Sequence, residues 1–399
     1  MQKTAAEKSL RNSTLQILNN CNQPNTKEQN MKQFIGKLLK IVKWICIILI
    51  TLIVIEILVI VIGRQINRRT PEGGINESMY ADINGTKQWI CIYGQDLNNP
   101  VLLFLHGGPC YPSIAFDWIA FRKLSADYTI VEWDQRGCGH NYPDYQETEP
   151  VTGELMIEDG KALTDFLCDY LHKEKITLFG HSWGSLLAAN LALEYPEKYD
   201  ALITSGLVVN EKISQKAYRD HMLSLTQNDP EIHAAAEQFD PEAGMKNQKE
   251  IVYRLGYSQY SYNDNLLWDS DFSIIAGILF NPYCTVTEQY RQLMNTPAYA
   301  EYIDTVLTGG DIFGDELCGQ IPIDGKTEYQ VPFYLIHGTK DHGFSTMVEV
   351  AAAYFDTVSA PDKEMKYVDG GHGSPLLHSG ELAAFVHEIA EKQSEKADH

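Results

Sequence analysis

Positive charge is scarce in most of this sequence. The 399 residues carry a net charge of −21, unevenly spread. Residues 1–63 hold eight Lys and Arg against three Asp and Glu, which leaves −26 on the remainder. So acidic a globule repels a phosphate backbone, and nucleic acid is excluded as a partner. Cysteine is sparse as well. None of the eight stands in a C-x-x-C or similar pairing, so no metal site of that kind is expected. No internal repeat is visible. Hydrophobic residues are not lacking: at 44% they suffice for a sizeable core.

One apolar run stands out, WICIILITLIVIEILVIVI, residues 44–62. Its sole charge is Glu56, either protonated or facing a partner helix. At ~1.5 Å per residue, such a helix matches a hydrocarbon layer of ~30 Å. A secretory signal starting at Met31 is the rival reading. The run exceeds the usual ~7–15 residues, and no small-residue cleavage site follows. A transmembrane helix over 41–63 is therefore expected. Lys27, Lys32, Lys37, Lys40 and Lys43 precede it; Arg64, Arg68 and Arg69 follow. The excess before the span puts the N-terminus in the cytoplasm and the C-terminal domain outside. Cys21 lies before the span and Cys46 within it. For Cys91, Cys110, Cys138, Cys168, Cys284 and Cys318, free buried thiols are the expectation, with disulfides open to an exported domain.

Residues 1–40 are polar and Asn-rich, and disorder is expected there. Residues 64–78 read as a linker. From residue 79 strands and helices alternate. Strands are expected at 88–93, 101–105, 129–133, 176–179, 201–205, 332–336 and 365–368. Helices are expected at 155–172, 183–195, 345–357 and 379–393. The continuous apolar strands imply an α/β fold, a mostly parallel sheet flanked by helices on both faces. Its first part is 79–206 and its second 326–399. Between them, 207–325 lacks convincing strands and reads as a helical cap over the carboxyl edge of the sheet, where such sheets bind ligands.

ITLFGHSWGSLLAANLALEYP, residues 176–196, carries Gly180-His181-Ser182-Trp183-Gly184 between a strand and a helix. A sharp turn there lifts the Ser182 hydroxyl above the sheet and aims the Trp183 amide at a developing oxyanion. A serine needs a base, and the base needs an orienting carboxylate. His372, in VDGGHGSP after the last strand, and Asp341, in YLIHGTKDHGF after the strand before, sit on the same edge. His342 adjoins Asp341, and His337 reads as structural. His106-Gly107-Gly108-Pro109 follows a buried strand and offers a second donor, the amide of Gly108. One such donor is worth about 3 kcal/mol in an acyl-transfer transition state. Asp134, Gln135 and Arg136, in VEWDQRGCGH, read as ties between loops rather than as catalysts.

HGGP, DQRGCG, GHSWGS and GGHGSP, in this order and spacing, resemble the proline iminopeptidase branch of the α/β hydrolases over residues 79–395, the cap being least recognisable. The resemblance implies a serine peptidase that removes an N-terminal residue, proline or small and apolar, through an acyl-enzyme and with no cofactor or metal. By that analogy Ser182 attacks, His372 is base then acid, Asp341 orients it, and Gly108 and Trp183 bind the oxyanion. An anionic patch for the substrate ammonium is implied too, with Glu211 and Glu250 as counterparts. Two residues depart from the pattern: Cys110 follows HGGP, and His181 precedes the serine, where glycine is usual. The membrane span is an addition to the family plan. Two other readings stay open, an esterase, lactonase or amidase using the same triad, and a non-catalytic membrane-tethered binding module. The partners expected are a small peptide or other small substrate and the membrane; oligomeric state is not legible.

Overall fold

The computed structural model describes residue 12 and residues 26–142, 151–261, 264–265, 267–294 and 315–397. The chain forms two compact units, Met1–Gly63 and Arg64–His399.

Helix α1, Thr26–Asn67, accounts for nearly all that is described of the first unit. Among the described residues it is the one helix long and apolar enough to cross a membrane, a property that a signal sequence shares. Its apolar side chains, Ile48, Leu52, Ile55 and Leu58 among them, are exposed. It starts well before the anchor expected at 41–63. Residues 26–40, expected to be disordered, are helical, because Lys, Glu, Gln and Leu extend a helix already nucleated by the apolar run. The rest of the expected disordered tail lies outside the described residues, apart from residue 12.

The second unit is built on an eight-stranded sheet: β1 (Ile75–Ile83), β2 (Thr86–Gly94), β3 (Val101–Leu105), β4 (Thr129–Trp133), β5 (Ile176–His181), β6 (Tyr199–Ser205), β7 (Phe333–Gly338) and β8 (Lys363–Val368). The order is β1-β2-β4-β3-β5-β6-β7-β8. From β4 to β8 all neighbours are parallel; β1 and β2 are antiparallel additions at one edge. Strand β1 begins inside the expected linker, with its first four residues there and the other five past residue 78. As a half-exposed edge strand it is polar and lacks an apolar run. Its overlooked mark is Asn84-Gly85, which turns into β2 with φ of 44° and 80°.

Helices α2 (Ile114–Phe121), α3 (Gly153–Leu171) and α4 (Trp183–Glu194) follow β3, β4 and β5. The insert between β6 and β7 carries α5 (Glu211–Leu225), α6 (Pro230–Gln238), α7 (Lys249–Gly256), α8 (Ile274–Phe280), α9 (Val286–Met294) and α10 (Asp315–Gln320). The chain closes with α11 (Val348–Thr357), α12 (Ser374–Leu377) and α13 (Ser379–Ala397). Successive β3 residues serve opposite faces. Leu103 and Leu105 join Leu163, Leu187 and Phe355 in one core; Leu102 and Phe104 join Phe121, Phe385 and Ile389 in the other. Burial on both faces is why these strands read as unbroken apolar runs. The insert packs around a small core of Tyr218, Met222, Phe239, Val252 and Leu255, which Met347, from the segment after β7, joins. Its residues 295–314, expected to be part of the cap, lie outside the described residues.

Cys110 and Cys138 form a disulfide, with Cα atoms 5.0 Å apart. This corrects the expectation of free thiols at these two positions. Spacing along the chain hides the pair, since 28 positions separate them. They meet because the loops after β3 and β4 leave adjacent parallel strands. Cys91 and Cys284 are buried free thiols, and Cys318 is buried as well.

Candidate active site

Ser182 stands between β5 and α4 at φ 55° and ψ −126°, a conformation that non-glycine residues rarely adopt. The flanking glycines make the turn feasible: a Cβ at Gly180 would collide with the carbonyl of Gly184, and one at Gly184 with that of Leu105. The bend is tied down by Ser182 N donating to Ser205 O (2.9 Å) and by Ser185 Oγ donating to Ser182 O (2.6 Å). As the first residue of α4, Trp183 has an amide with no acceptor inside its helix.

His372, in the loop between β8 and α12, places Nδ1 2.9 Å from Asp341 Oδ2. Asp341, in the loop after β7, is fully buried and multiply held. Thr346 Oγ1 donates to its Oδ1 at 2.8 Å. Leu207 N donates to Nδ1 of His337 at 3.4 Å, so a neutral His337 carries its proton on Nε2, 3.1 Å from Asp341 Oδ2. Burial alone would raise the Asp341 pKa, but His372, His337 and their hydrogen bonds hold it well below the carboxylate range. For His372, burial opposes the imidazolium, and the adjacent Asp341 charge more than reverses this, raising its pKa above the ordinary histidine value.

A cavity of about 320 Å³ is lined by Gly107, Gly108, Tyr111, His181, Ser182 and His372, with Leu376 and Leu377 as an apolar wall. A smaller one of about 170 Å³ adds Trp183, Val208, Cys318, Phe344 and Thr346 to Gly108, Ser182 and His372. The fold thus gathers Ser182, His372, Gly108 and Trp183 around one space, with Asp341 behind the imidazole. An electrophilic carbonyl seated there would have a hydroxyl, a base and amide donors around it.

The DQRG loop underpins this edge. Gln135 Nε2 donates to His106 O (3.0 Å), and Trp183 Nε1 donates to Gln135 Oε1 (3.0 Å). Arg136 makes two 2.7 Å bonds to buried Asp159. Asp134 accepts from His140 N at 2.7 Å. Of the expected ties between loops, Gln135 makes one, whereas Arg136 binds the loop to α3 and Asp134 braces its own loop. Cys110 sits at φ 63°, which is why a glycine suits that position.

The two proposed ammonium ligands do not join this site. Glu250, on α7, is exposed, lies 3.5 Å from Arg254 and lines a separate surface pocket with Asn247 and Gln248. Glu211 is buried at the start of α5, where Gln215 Nε2 donates to it at 3.4 Å, and it lines neither cavity at Ser182. Acidic residues abound in the cap, and composition cannot rank them. Sequence reasoning also passed over Thr346 and the Nδ1 contact of His181 with Ser205 Oγ at 2.8 Å. Thr346 lies in no motif, and neither does Ser205, the partner of His181. The His181 ring packs 4.7 Å from that of His372, and burial, then the proximity of His372, keeps its pKa well below the usual histidine value.

The family model described as the alpha/beta hydrolase fold matches residues 100–379. Among curated proteins the chain is similar to a probable aminopeptidase, YbaC, of Bacillus subtilis, 34% identical over 146 residues, or 37% of this chain and 46% of that protein. It is also similar to a proline iminopeptidase of Lactobacillus delbrueckii, 30% identical over 139 residues, covering 34% and 46%. In these matches the chain spans about half the length of its curated relatives. Among solved structures, a proline iminopeptidase of Mycobacterium smegmatis superposes with a TM-score of 0.55 at 18% identity, over 80% of this chain and 100% of that one. A membrane phospholipase A superposes at 0.53 and 16% identity, over 90% and 98%. At such identities the likeness is one of fold. With the family match extending over most of its length, this chain belongs to the α/β hydrolases.

Proposed function

We propose that the protein is a membrane-anchored serine hydrolase that releases an N-terminal residue, proline or small and apolar, from short peptides. The observation that carries the reading is the His372–Asp341 pair opening onto the same cavity as the strained Ser182. In the proposed cycle Ser182 Oγ attacks the scissile carbonyl while His372 takes its proton. The Gly108 and Trp183 amides stabilise the oxyanion. The protonated His372 then passes its proton to the departing amine, leaving an acyl-enzyme, and activates the water that hydrolyses it. No cofactor enters this scheme. The aminopeptidase specificity draws on the names of the curated relatives, and the anchor on the composition of α1. The Cys110–Cys138 disulfide supports a catalytic unit outside the cytoplasm.

A second reading draws on the cavity itself. Among the described residues neither lining set contains Asp or Glu, while Leu376, Leu377 and Tyr111 are prominent. That lining suits a neutral acyl group, as in an esterase, lactonase or amidase. The full chain in detergent, assayed on prolyl and alanyl arylamides, their N-blocked forms and short acyl esters, separates the two. Cleavage of free but not N-blocked arylamides supports the peptidase. Preference for esters supports the second reading. Turnover that survives in Ser182→Ala overturns both.

A further inference from the structure

His372 is flanked by Gly370, Gly371 and Gly373, so the loop that carries the base has little stiffness of its own. Its backbone is held from outside the sheet, by Asp264, a cap residue between α7 and α8. Asp264 Oδ1 accepts from Gly371 N (2.9 Å) and Ser374 Oγ (2.6 Å). Its Oδ2 accepts from Gly373 N at 2.6 Å. The two amides are the immediate neighbours of His372 on either side. Seven residues later Asp271 repeats the grip, accepting from Ser379 N (3.1 Å) and Gly380 N (2.8 Å) at the start of α13. Two cap carboxylates therefore staple the segment that bears the catalytic histidine. Bonds from amides and hydroxyls to a carboxylate are charge-assisted, the stronger kind.

We propose that Asp264 is a positioning residue. By clamping the backbone on both sides of His372 from the cap, it makes the seating of the cap a condition for aiming the imidazole at Ser182. Asp341 fixes the ring through Nδ1; Asp264 fixes the chain on which the ring is mounted. A cap lifted from the sheet takes its carboxylate away and frees the loop. The inference rests on the serine-hydrolase reading above. The charged and titratable groups around the His372 ring are Asp341, Asp264 and His181.

The test measures the rate at which a fluorophosphonate labels Ser182 in the full chain, as a function of pH, with amide hydrogen exchange at Gly371 and Gly373 read alongside. Asp264→Ala is expected to slow labelling about 100-fold, the scale of a misplacement of about 1 Å. Asp264→Asn, which keeps one acceptor and loses the charge, is expected to slow it about 10-fold. In both, the acid limb moves to lower pH because an anion near the imidazole is gone, and both amides exchange faster. Ser374→Ala removes one hydroxyl bond only and is expected to cost less than about 3-fold. If Asp264→Ala does not fold, the Asn variant carries the test. Labelling within two-fold of wild type in Asp264→Asn, with an unmoved acid limb, overturns the inference alone. A wild-type chain that does not label at all overturns the hydrolase reading, and the inference with it.

Discussion

In the proposed cycle His372 accepts a proton only when neutral, so activity is expected to rise with pH through its pKa. Asp341 raises that pKa, which places the acid limb of kcat/KM above the ordinary histidine value of about 6.5. Asp341→Asn removes the raising charge and is expected to move the limb to lower pH while cutting turnover by about 10⁴; a pH–rate profile of the two proteins checks both. Gly206, just past β6, sits at φ +53°, and a Cβ there would come within 2.5 Å of His372 Cε1. Gly206→Ala should therefore displace the ring and lower kcat about 10- to 100-fold with little change in KM. Steady-state kinetics on one substrate decides it. At this scale the sequence was informative where chemistry demands a rare local pattern. A serine between glycines on a strand–helix join announces itself. Thr346, His337 and Asp264 are common residue types in ordinary loops, and only their partners in space give them roles.

Three of the strands that carry the site, β3, β5 and β7, were legible because burial on both faces makes them continuously apolar. Strand β1 was not, because an edge strand alternates and is half polar. The loops after β3 and β4 are joined by the Cys110–Cys138 bond, which holds the HGGP turn against the DQRG turn. Reduction should remove about 2–4 kcal/mol of stability. Thermal unfolding with and without reductant tests this, and alkylation of the denatured protein should count two more thiols after reduction. An unchanged melting temperature would mean that these loops need no crosslink. The cap was legible only as a helical insert. Which of its carboxylates matters depends on packing, and the structure points to Asp264 and Asp271 rather than to Glu250.

Across the whole chain, charge is divided by the apolar run, with a surplus of five positive charges up to residue 63 and a deficit of 26 after it. The topology expected from the flanking charges, N-terminus inside and second unit outside, predicts that protease added to intact cells removes the second unit and spares a tag placed at residue 1. Protection of both is the outcome that rejects this topology.

Composition and local pattern by themselves determined the apolar helix, the parallel sheet and the candidates proposed here as nucleophile, base and orienting acid. Each of these depends on neighbours within a few residues, through period, burial or turn chemistry. Tertiary structure alone decided the disulfide, the three-fold hold on Asp341, the grip of Asp264 on the His372 loop and the exclusion of Glu250 from the cavity. Those are contacts between residues from 5 to more than 100 positions apart, and nothing in a residue's immediate neighbourhood states which distant partner the fold will bring to it.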